Sequence, residues 1–184
     1  MRRLPVAKSV VCVGEVMLEL SGLQPDGSAG FGFGGDTANT AIYLSRLLGE
    51  AAKVGYLTRL GQGPFARNLA TALDDERVFL SPYAQTEAGA PGLYAISTDS
   101  VGERSFTYWR SEAAVRHLLT GEIADREVEF LFDFDVLYLS GITLAVLSDD
   151  GRARLLNVIE AFASKGLEVM FDVNYRPHLW QSHS

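Results

Sequence analysis

The fold of this chain can be worked out from one stretch, Gly34-Gly35-Asp36-Thr37-Ala38-Asn39. The two glycines lack the Cβ atoms that would keep a small ligand away from the backbone, and they permit backbone conformations with φ > 0. Asp36 is predicted to be the N-cap of a helix that Gly49 closes as its C′ residue. Apolar residues at helical spacing indicate this helix: Ala38, Ala41, Ile42, Leu44, Leu47 and Leu48.

The Gly-Gly loop has the features of a binding site for a small polar molecule. A helix that begins after such a turn presents N–H groups without intrahelical partners and the positive end of its dipole. Asp36 and Asn39 add polar side chains to the first turn. We therefore expect Gly34, Gly35, Asp36 and Asn39 to contact a hydroxyl-rich or anionic ligand. The alternative is an ordinary strand–turn–helix junction without a ligand.

Strands and helices alternate along most of the chain. Short apolar runs predict buried strands at 9–14, 51–57, 78–80, 136–141 and 167–171. After the helix at 36–48, helices are predicted from Pro64 to about Leu73 and from the N-cap Ser148 to Gly166. This alternation predicts an α/β fold built on a parallel sheet.

Two segments depart from the alternation and predict a small second sheet. Residues 21–33 are rich in glycine and polar residues and are predicted to form a loop and a short edge strand. Residues 92–98 and 104–110 are predicted to form a hairpin. Period-2 alternation places Phe106, Tyr108 and Arg110 on one face of the second arm.

A second polar loop, Asp172-Val173-Asn174-Tyr175-Arg176-Pro177, follows the last predicted strand. In open α/β sheets, ligands bind beyond the carboxyl ends of the strands. The 34–39 and 172–177 loops both follow strands, so they are expected to meet at one site. Two cations stand out, Arg110 on a strand of the predicted hairpin and Arg176 in this strand-end loop. A guanidinium group can bind a carboxylate through paired, charge-assisted hydrogen bonds. The alternative is that each is a solvated arginine at the surface.

The composition excludes several classes of protein. The chain has 184 residues, 47% of them hydrophobic, and a formal net charge of −7 with scattered basic residues, which argues against nucleic-acid binding. Cys12, the single cysteine, lies in an apolar run and is predicted to be buried. No segment approaches the length of a membrane span, so we expect a cytoplasmic, soluble protein. His117, His178 and His183 have no spacing that suggests a shared metal site and are expected at the surface.

Four motifs together resemble the ribokinase-like (PfkB) sugar kinases, and within that family they look most like the 2-keto-3-deoxygluconate kinases. They are Gly14-Glu15-Val16-Met17-Leu18-Glu19-Leu20, the 34–39 loop, Tyr108-Trp109-Arg110, and the run from Asp172 to Trp180. They occur in the family's order and cover nearly the whole chain. One departure is the turn at 61–64, where Gln62 and Gly63 stand in a region that usually carries an aspartate.

The resemblance implies a three-layer α/β/α sheet of the ribokinase type, incomplete at its C-terminus, with a β-lid. Residues 1–184 would be the N-terminal part of one such domain, with lid strands from about 16–33 and 92–110. The family's catalytic aspartate lies in a Gly-Ala-Gly-Asp-like motif that this sequence does not contain. We therefore expect the base beyond Ser184 and no phosphoryl transfer by the chain alone.

The resemblance also implies roles for individual residues. Tyr94, Tyr108 and Arg110 would contact the substrate from the lid, and Arg176 would act as an auxiliary catalytic group near the transferred phosphate. Asn174 would lie close to the phosphates of the ATP cofactor or its Mg²⁺ shell, or would simply form a turn. Glu15 would accept sugar hydroxyls, or would be a capped carboxylate at a strand edge.

Several alternatives remain for the substrate, the function and the partners of this chain. The implied reaction is ATP-dependent phosphorylation of 2-keto-3-deoxygluconate, with fructose or another sugar as the alternative substrate. A different class of function is a non-catalytic remnant that binds a sugar acid or dimerises, and the lid is a possible surface for a homo-oligomer. A dinucleotide-binding oxidoreductase is less favoured, because no Gly-x-Gly-x-x-Gly follows the first strand.

Overall fold

The computed structural model describes residues 8–24, 26–86, 88–99 and 101–180 of the chain. The strands are β1 Val10–Val13, β2 Met17–Ser21, β3 Gly30–Gly34, β4 Val54–Leu57, β5 Phe79–Leu80, β6 Leu93–Thr98, β7 Arg104–Trp109, β8 Val136–Ser140 and β9 Glu168–Asp172. The α-helices are α1 Asp36–Leu48, α2 Pro64–Asp75, α3 Ala124–Leu131, α4 Gly141–Val146, α5 Asp149–Ser164 and α6 Pro177–Trp180. Short 3-10 turns span Gly49–Ala51 and Ala114–His117.

The main sheet has five strands in the order β5-β4-β1-β8-β9. Its strands pair in parallel, and Val10 of β1 lies opposite Val54 of β4 on one side and Val136 of β8 on the other. Chain order reverses at β1, because β4 and β5 lie to one side of it and β8 and β9 to the other. The carboxyl ends of β1 and β8 therefore border the kind of crevice where α/β sheets bind ligands.

Two hydrophobic cores cover opposite faces of this sheet, as the successive residues of β1 show. Val11 and Val13 belong to the core formed with α3, α4 and α5. Val10 and Cys12 belong to the core formed with α1 and α2. The predicted three-layer α/β/α arrangement is confirmed. Cys12 is fully buried, as predicted, and burial raises the pKa of its thiol to about 12.

A second sheet of four strands, which we call the lid, stands off the main one in the order β3-β2-β6-β7. The chain enters it between β1 and α1 and again after β5. The predicted hairpin is present, with β6 and β7 antiparallel and Tyr94 opposite Tyr108. Strand β2 joins the two halves, since it pairs antiparallel with β3 and parallel with β6.

Several element ends match the sequence predictions and others differ. Pro64 begins α2, and the Ser148 side chain caps α5 by accepting a hydrogen bond from the Gly151 N–H. Strand β4 begins at Val54 rather than Ala51, because Gly49 adopts φ +53° and starts a 3-10 turn. Helix α2 continues to Asp75, and β5 contains only Phe79 and Leu80.

The prediction that Asp36 caps α1 is wrong. Gly35 occupies the N-cap position, with φ 168° and ψ 142°, and Asp36 is the first residue of the helix. The backbone N–H of Asn39 donates to the Gly35 carbonyl at 2.8 Å. The Asp36 carboxylate is thereby left to make a contact outside its own helix. Across the described ranges, none of the helices is long and apolar enough to cross a membrane.

Candidate functional site

An open cavity of about 700 Å³ lies between the lid and the carboxyl ends of the main-sheet strands. It is lined by residues from the β1–β2 connection, the start of α1, the lid hairpin, the start of α4 and the β9–α6 segment. These residues are Glu15, Met17, Gly35, Asp36, Asn39, Tyr94, Arg104, Ser105, Phe106, Tyr108, Arg110, Ile142, Asn174, Arg176 and His178. Of the site residues predicted from sequence, Gly34 alone is not among the described residues that line it.

A hydrogen bond joins the two loops that the sequence singled out. The Asn174 side-chain Nδ2 donates to Asp36 Oδ2 at 2.9 Å. Asn174 has φ +26°, and its own N–H donates to the Asp172 carboxylate at 3.1 Å. Asparagine tolerates this left-handed conformation better than most residues. Asp172, the last residue of β9, thus anchors the loop that Asn174 ties to α1.

The two glycines of the 34–39 loop are required by protein packing. A Cβ on Gly35 would lie 2.2 Å from the backbone oxygen of Glu15. A Cβ on Gly34 would lie 2.4 Å from the Tyr94 hydroxyl, which places Gly34 beneath the lid tyrosine. The space beside Gly34 is thus occupied by a lid side chain, and contact between Gly34 and a ligand stays a prediction.

Aromatic rings from the lid form one wall of the cavity. Tyr94 and Tyr108 are cross-strand neighbours with ring centroids 5.9 Å apart, and Phe106 lies 6.3 Å from Tyr94. The Tyr94 hydroxyl donates to Glu19, and burial raises the pKa of Tyr94 well above its ordinary range. His178 was expected to be a simple surface residue; it is exposed, but its ring lies 6.4 Å from that of Tyr108 across the cavity.

Three arginines bring positive charge to the same cavity. Arg110 follows β7, and its guanidinium carbon lies 5.9 Å from the Tyr108 ring centroid. Arg176 comes from the β9–α6 segment, and Arg104 begins β7. Arg104 was not predicted to be a site residue, although the period-2 pattern through Phe106, Tyr108 and Arg110 places it on the same lid face. The cavity is therefore suited to an anionic ligand that also offers a face for aromatic contact.

Glu15 is the buried acidic group of the cavity. Its residue exposure is 4%, and it forms an ion pair with the Nη2 of Arg110. Burial raises the pKa of Glu15 to about 7, and the positive charge of Arg110 opposes that rise. The sequence left open a capped edge carboxylate, but Glu15 is buried between the lid and the main sheet.

The ion pair of Glu15 and Arg110 leaves several polar atoms without aligned hydrogen bonds. Both carboxylate oxygens of Glu15 and the Nε and Nη2 of Arg110 are buried and have no partner of hydrogen-bonding geometry. Buried polar atoms of this kind cost free energy unless a partner arrives. A ligand with hydroxyl and carboxylate groups would supply such partners.

The fold and the cavity define a class of protein: an α/β protein with a β-lid standing over an arginine-lined cavity at the carboxyl edge of its main sheet. The family model described as pfkB family carbohydrate kinase matches residues 7–184. The chain belongs to this family.

Relatives and solved structures agree with this assignment. The chain is 45% identical over 176 residues to the 2-dehydro-3-deoxygluconokinase of Dickeya dadantii, covering 95% of this chain and 56% of that protein. It is 44% identical over 178 residues to the enzyme of the same name from Escherichia coli K12, covering 96% of this chain and 57% of that protein. The chain thus spans about half the length of the curated relatives it matches.

Two crystal structures show how closely the fold is shared. A PfkB family carbohydrate kinase from Listeria grayi superposes with a TM-score of 0.76 at 27% identity, covering 94% of this chain and 54% of that one. The 2-dehydro-3-deoxygluconokinase of Thermotoga maritima also gives a TM-score of 0.76, at 24% identity, covering 94% of this chain and 52% of that one. The ribokinase-like fold predicted from sequence is confirmed.

Proposed function

We propose that this chain provides the sugar-acid site and lid of a kinase that phosphorylates 2-keto-3-deoxygluconate, also called 2-dehydro-3-deoxygluconate, with ATP. The observation that carries the proposal is the convergence of Gly35, Arg110 and Arg176 on one cavity. The Asn174–Asp36 hydrogen bond supports it, because that bond holds together the two loops that carry Gly35 and Arg176. The printed names of the relatives support the same substrate.

Each part of the site has a role in this proposal. Arg110 binds the carboxylate of the sugar acid from the lid side, where Tyr94 and Tyr108 contact the carbon chain. At the start of α1, the Asp36 carboxylate accepts hydrogen bonds from sugar hydroxyls, and the Asn39 amide can both donate to them and accept from them. Arg176 lies at the reacting end and stabilises the charge of the transferred phosphoryl group. The chain's own contribution is thus binding and orientation.

ATP supplies the γ-phosphoryl group when it is bound, and Mg²⁺ would neutralise the phosphate charges. Within residues 8–180, outside the gaps at 25, 87 and 100, no group of three or more His, Cys, Asp or Glu side chains could hold a metal ion. The amide nitrogen of Asn174 is already bonded to Asp36. The described residues thus offer partners for a sugar acid but no such group of metal ligands, and we keep Asn174 as the residue expected near the phosphates of ATP.

Calorimetric titration of the 184-residue chain with 2-keto-3-deoxygluconate tests this proposal. We expect saturable one-to-one binding that weakens about tenfold or more in Arg176→Gln, because without ATP the Arg176 guanidinium would donate to the hydroxyl at the reacting end of the sugar acid, and a hydrogen bond to a charged group contributes about 1.5–3 kcal/mol. Arg176 is exposed, so its replacement should leave the fold intact. Arg67→Gln, at an exposed arginine on α2, is the matched control and should bind like the wild type. Absence of binding in the wild type would overturn the proposal.

Fructose is the competing substrate, and the charge of the cavity argues against it. Three arginines line the cavity, and a neutral sugar offers them no carboxylate. The chain is also 29% identical over 154 residues to a fructokinase of Vibrio alginolyticus, a lower identity than to the 2-dehydro-3-deoxygluconokinases. Equal or tighter binding of fructose in the same titration would favour the alternative. Binding of the acid with no ATP-dependent turnover would fit a non-catalytic sugar-acid-binding role for the chain alone.

A further inference from the structure

The ion pair of Glu15 and Arg110 raises a question about charge when an anionic ligand binds. Arg110 is the lid cation that the proposed function assigns to the substrate carboxylate, yet in this structure it is paired with Glu15. The side chains of both residues are nearly inaccessible, with exposures of 12% for Arg110 and 3% for Glu15. A substrate carboxylate would thus place a second negative charge beside the Arg110 guanidinium, which has little contact with solvent.

Two carboxylates at one buried cation do not both stay ionised without a large cost. Beyond the ion pair with Arg110, neither carboxylate oxygen of Glu15 has a partner of hydrogen-bonding geometry among the described residues. Asp36, which also lines the cavity, adds a further negative charge near Glu15. Protonation of Glu15 removes the repulsion and supplies an O–H that can donate to the ligand.

We propose that Glu15 holds Arg110 in position while the site is empty, and that binding of the sugar acid transfers one proton from solvent to a Glu15 carboxylate oxygen. Before binding, the pair is Glu15⁻ and Arg110⁺; afterwards Arg110⁺ faces the substrate carboxylate and Glu15 is neutral. No covalent bond other than the new O–H is formed. Glu15 is thus a positioning residue that sets specificity for an acidic sugar. This inference rests on the proposed function.

Several charged and titratable groups surround Glu15, and they affect its pKa or could themselves take up a proton when the ligand binds. Arg110 and Arg116 lower the pKa of Glu15, while burial and the charge of Asp36 raise it, so that it lies at about 7. The other titratable or charged residues that line the cavity come from β6, β7 and the β9–α6 segment: Tyr94, Arg104, Tyr108, Arg176 and His178. His178 is the one histidine among these lining residues, so its replacement is the comparison that distinguishes a proton on Glu15 from a proton on an imidazole.

Calorimetric titration in buffers of different ionisation enthalpy measures the proton directly. With 2-keto-3-deoxygluconate as the probe, we expect close to one proton taken up per molecule bound at about pH 8, where Glu15 is mostly ionised in the free protein. The uptake should fall towards zero below about pH 6, where Glu15 already carries its proton. By linkage, the dissociation constant should rise about tenfold per pH unit above the pKa of Glu15.

Three variants identify the group that takes the proton. Glu15→Gln should bind without proton uptake at any pH, whereas His178→Gln and Glu112→Gln should keep the uptake of the wild type. Glu112 is an exposed glutamate two residues beyond Arg110 and is the matched control. If Glu15→Gln does not fold, the comparison is between the wild type and His178→Gln. Uptake of close to one proton in both proteins supports the inference. Loss of proton uptake in His178→Gln overturns the inference.

The outcomes separate this inference from the proposed function. Binding of the sugar acid without proton uptake at about pH 8 would overturn the inference and leave the proposed function standing. Uptake that persists in Glu15→Gln would also overturn it. Absence of binding would overturn both.

Discussion

At the scale of single residues, close packing around Glu15 explains why two positions near it are glycine. A Cβ on Gly35 would lie 2.2 Å from the Glu15 backbone oxygen, and a Cβ on Gly92 would lie 2.7 Å from Glu15 Oε1. Neither space is available to a side chain without movement of the β1–β2 connection or of the ion pair. The position of Glu15 in the cavity therefore depends on both glycines.

Replacement of Gly35 by alanine should disturb this packing. Because the obstructing atom belongs to the backbone, Gly35→Ala is expected to lower the free energy of unfolding by about 1–3 kcal/mol. It should also weaken sugar-acid binding. Gly32→Ala on β3 is the control, since its Cβ would have nothing closer than 3.9 Å, and urea denaturation compares the two. Equal stability of both variants would show that the β1–β2 connection moves aside at little cost.

Glu15 should also leave a signature in the pH dependence of stability. Its pKa is raised from 4.5 to about 7, so the folded protein holds a proton that the unfolded chain releases between these values. Protonated Glu15 therefore contributes to the stability of the folded protein. This contribution is complete below about pH 4.5 and is lost as the pH rises to about 7. Over that window the free energy of unfolding of the wild type, minus that of Glu15→Gln, should fall by at most about 1.4 kcal/mol per pH unit. A difference that is flat or rises with pH would contradict the raised pKa.

The residue-scale chemistry could be predicted from sequence only in part. Arg110 and Arg176 were found because guanidinium suits a carboxylate, and Arg104 could have been found by extending the lid alternation back to the start of β7. The pairing of Glu15 with Arg110 could not be predicted from sequence, because it depends on how the lid folds over the end of β1. Asp36 was expected to cap its own helix, but its carboxylate accepts from Asn174, far away in the chain.

At the scale of elements, a buried ion pair fixes the loop after β4 to helix α3. Arg59 Nε and Nη2 donate to the two oxygens of Glu127 at 2.7 and 2.8 Å, and Nη2 also donates to the Thr120 carbonyl at 2.7 Å. Glu127 accepts in addition from the Leu119 N–H at 2.8 Å. The side-chain exposures are 4% and 0%. Unlike the pair in the cavity, this one has hydrogen bonds of good geometry and is structural.

Breaking the Arg59–Glu127 pair should cost much more than breaking a surface pair. Glu127→Gln leaves the Arg59 charge buried without its counterion and is expected to destabilise the fold by about 3–5 kcal/mol. Glu76→Gln removes the partner of Arg46, whose side chain is 54% exposed, and should change stability by no more than about 1 kcal/mol. Urea unfolding of both variants provides the comparison. A small loss in Glu127→Gln would mean that the loop and α3 are held together by other contacts.

Elements were easier to predict than their ends. The strands and helices of the βα rhythm follow from apolar periodicity, and the caps at Pro64 and Ser148 follow from their side chains. The start of β4 was misplaced because a positive φ at Gly49 extends the turn after α1. The parallel pairing of β2 with β6 joins two distant segments, and local alternation carries no signal for it.

At the scale of the whole molecule, β9 forms one edge of the main sheet and is poorly covered. Met170 and Phe171 are 52% and 50% exposed. An exposed edge strand with apolar side chains is a template for association. The isolated chain is therefore expected to self-associate as its concentration rises, which light scattering after size-exclusion chromatography measures.

Charge on the β9 edge should suppress that association. Met170→Lys is expected to shift the chain towards monomer, while Leu47→Lys, at a residue 81% exposed on α1, should have no effect. The sequence resemblance suggested a homo-oligomer through the lid, where Trp109 is 55% exposed. If Trp109→Lys abolishes association and Met170→Lys does not, the lid is the contact surface and the expectation for β9 is wrong.

The central claim is that two distant loops and a lid arginine form one site for an acidic sugar. A crystal structure of the chain with 2-keto-3-deoxygluconate tests it most directly. We expect one ligand in the cavity, with its carboxylate within hydrogen-bonding distance of Arg110 and its other end between Gly35 and Arg176. A ligand bound elsewhere, or bound in this cavity with its carboxylate away from every arginine, would contradict the account.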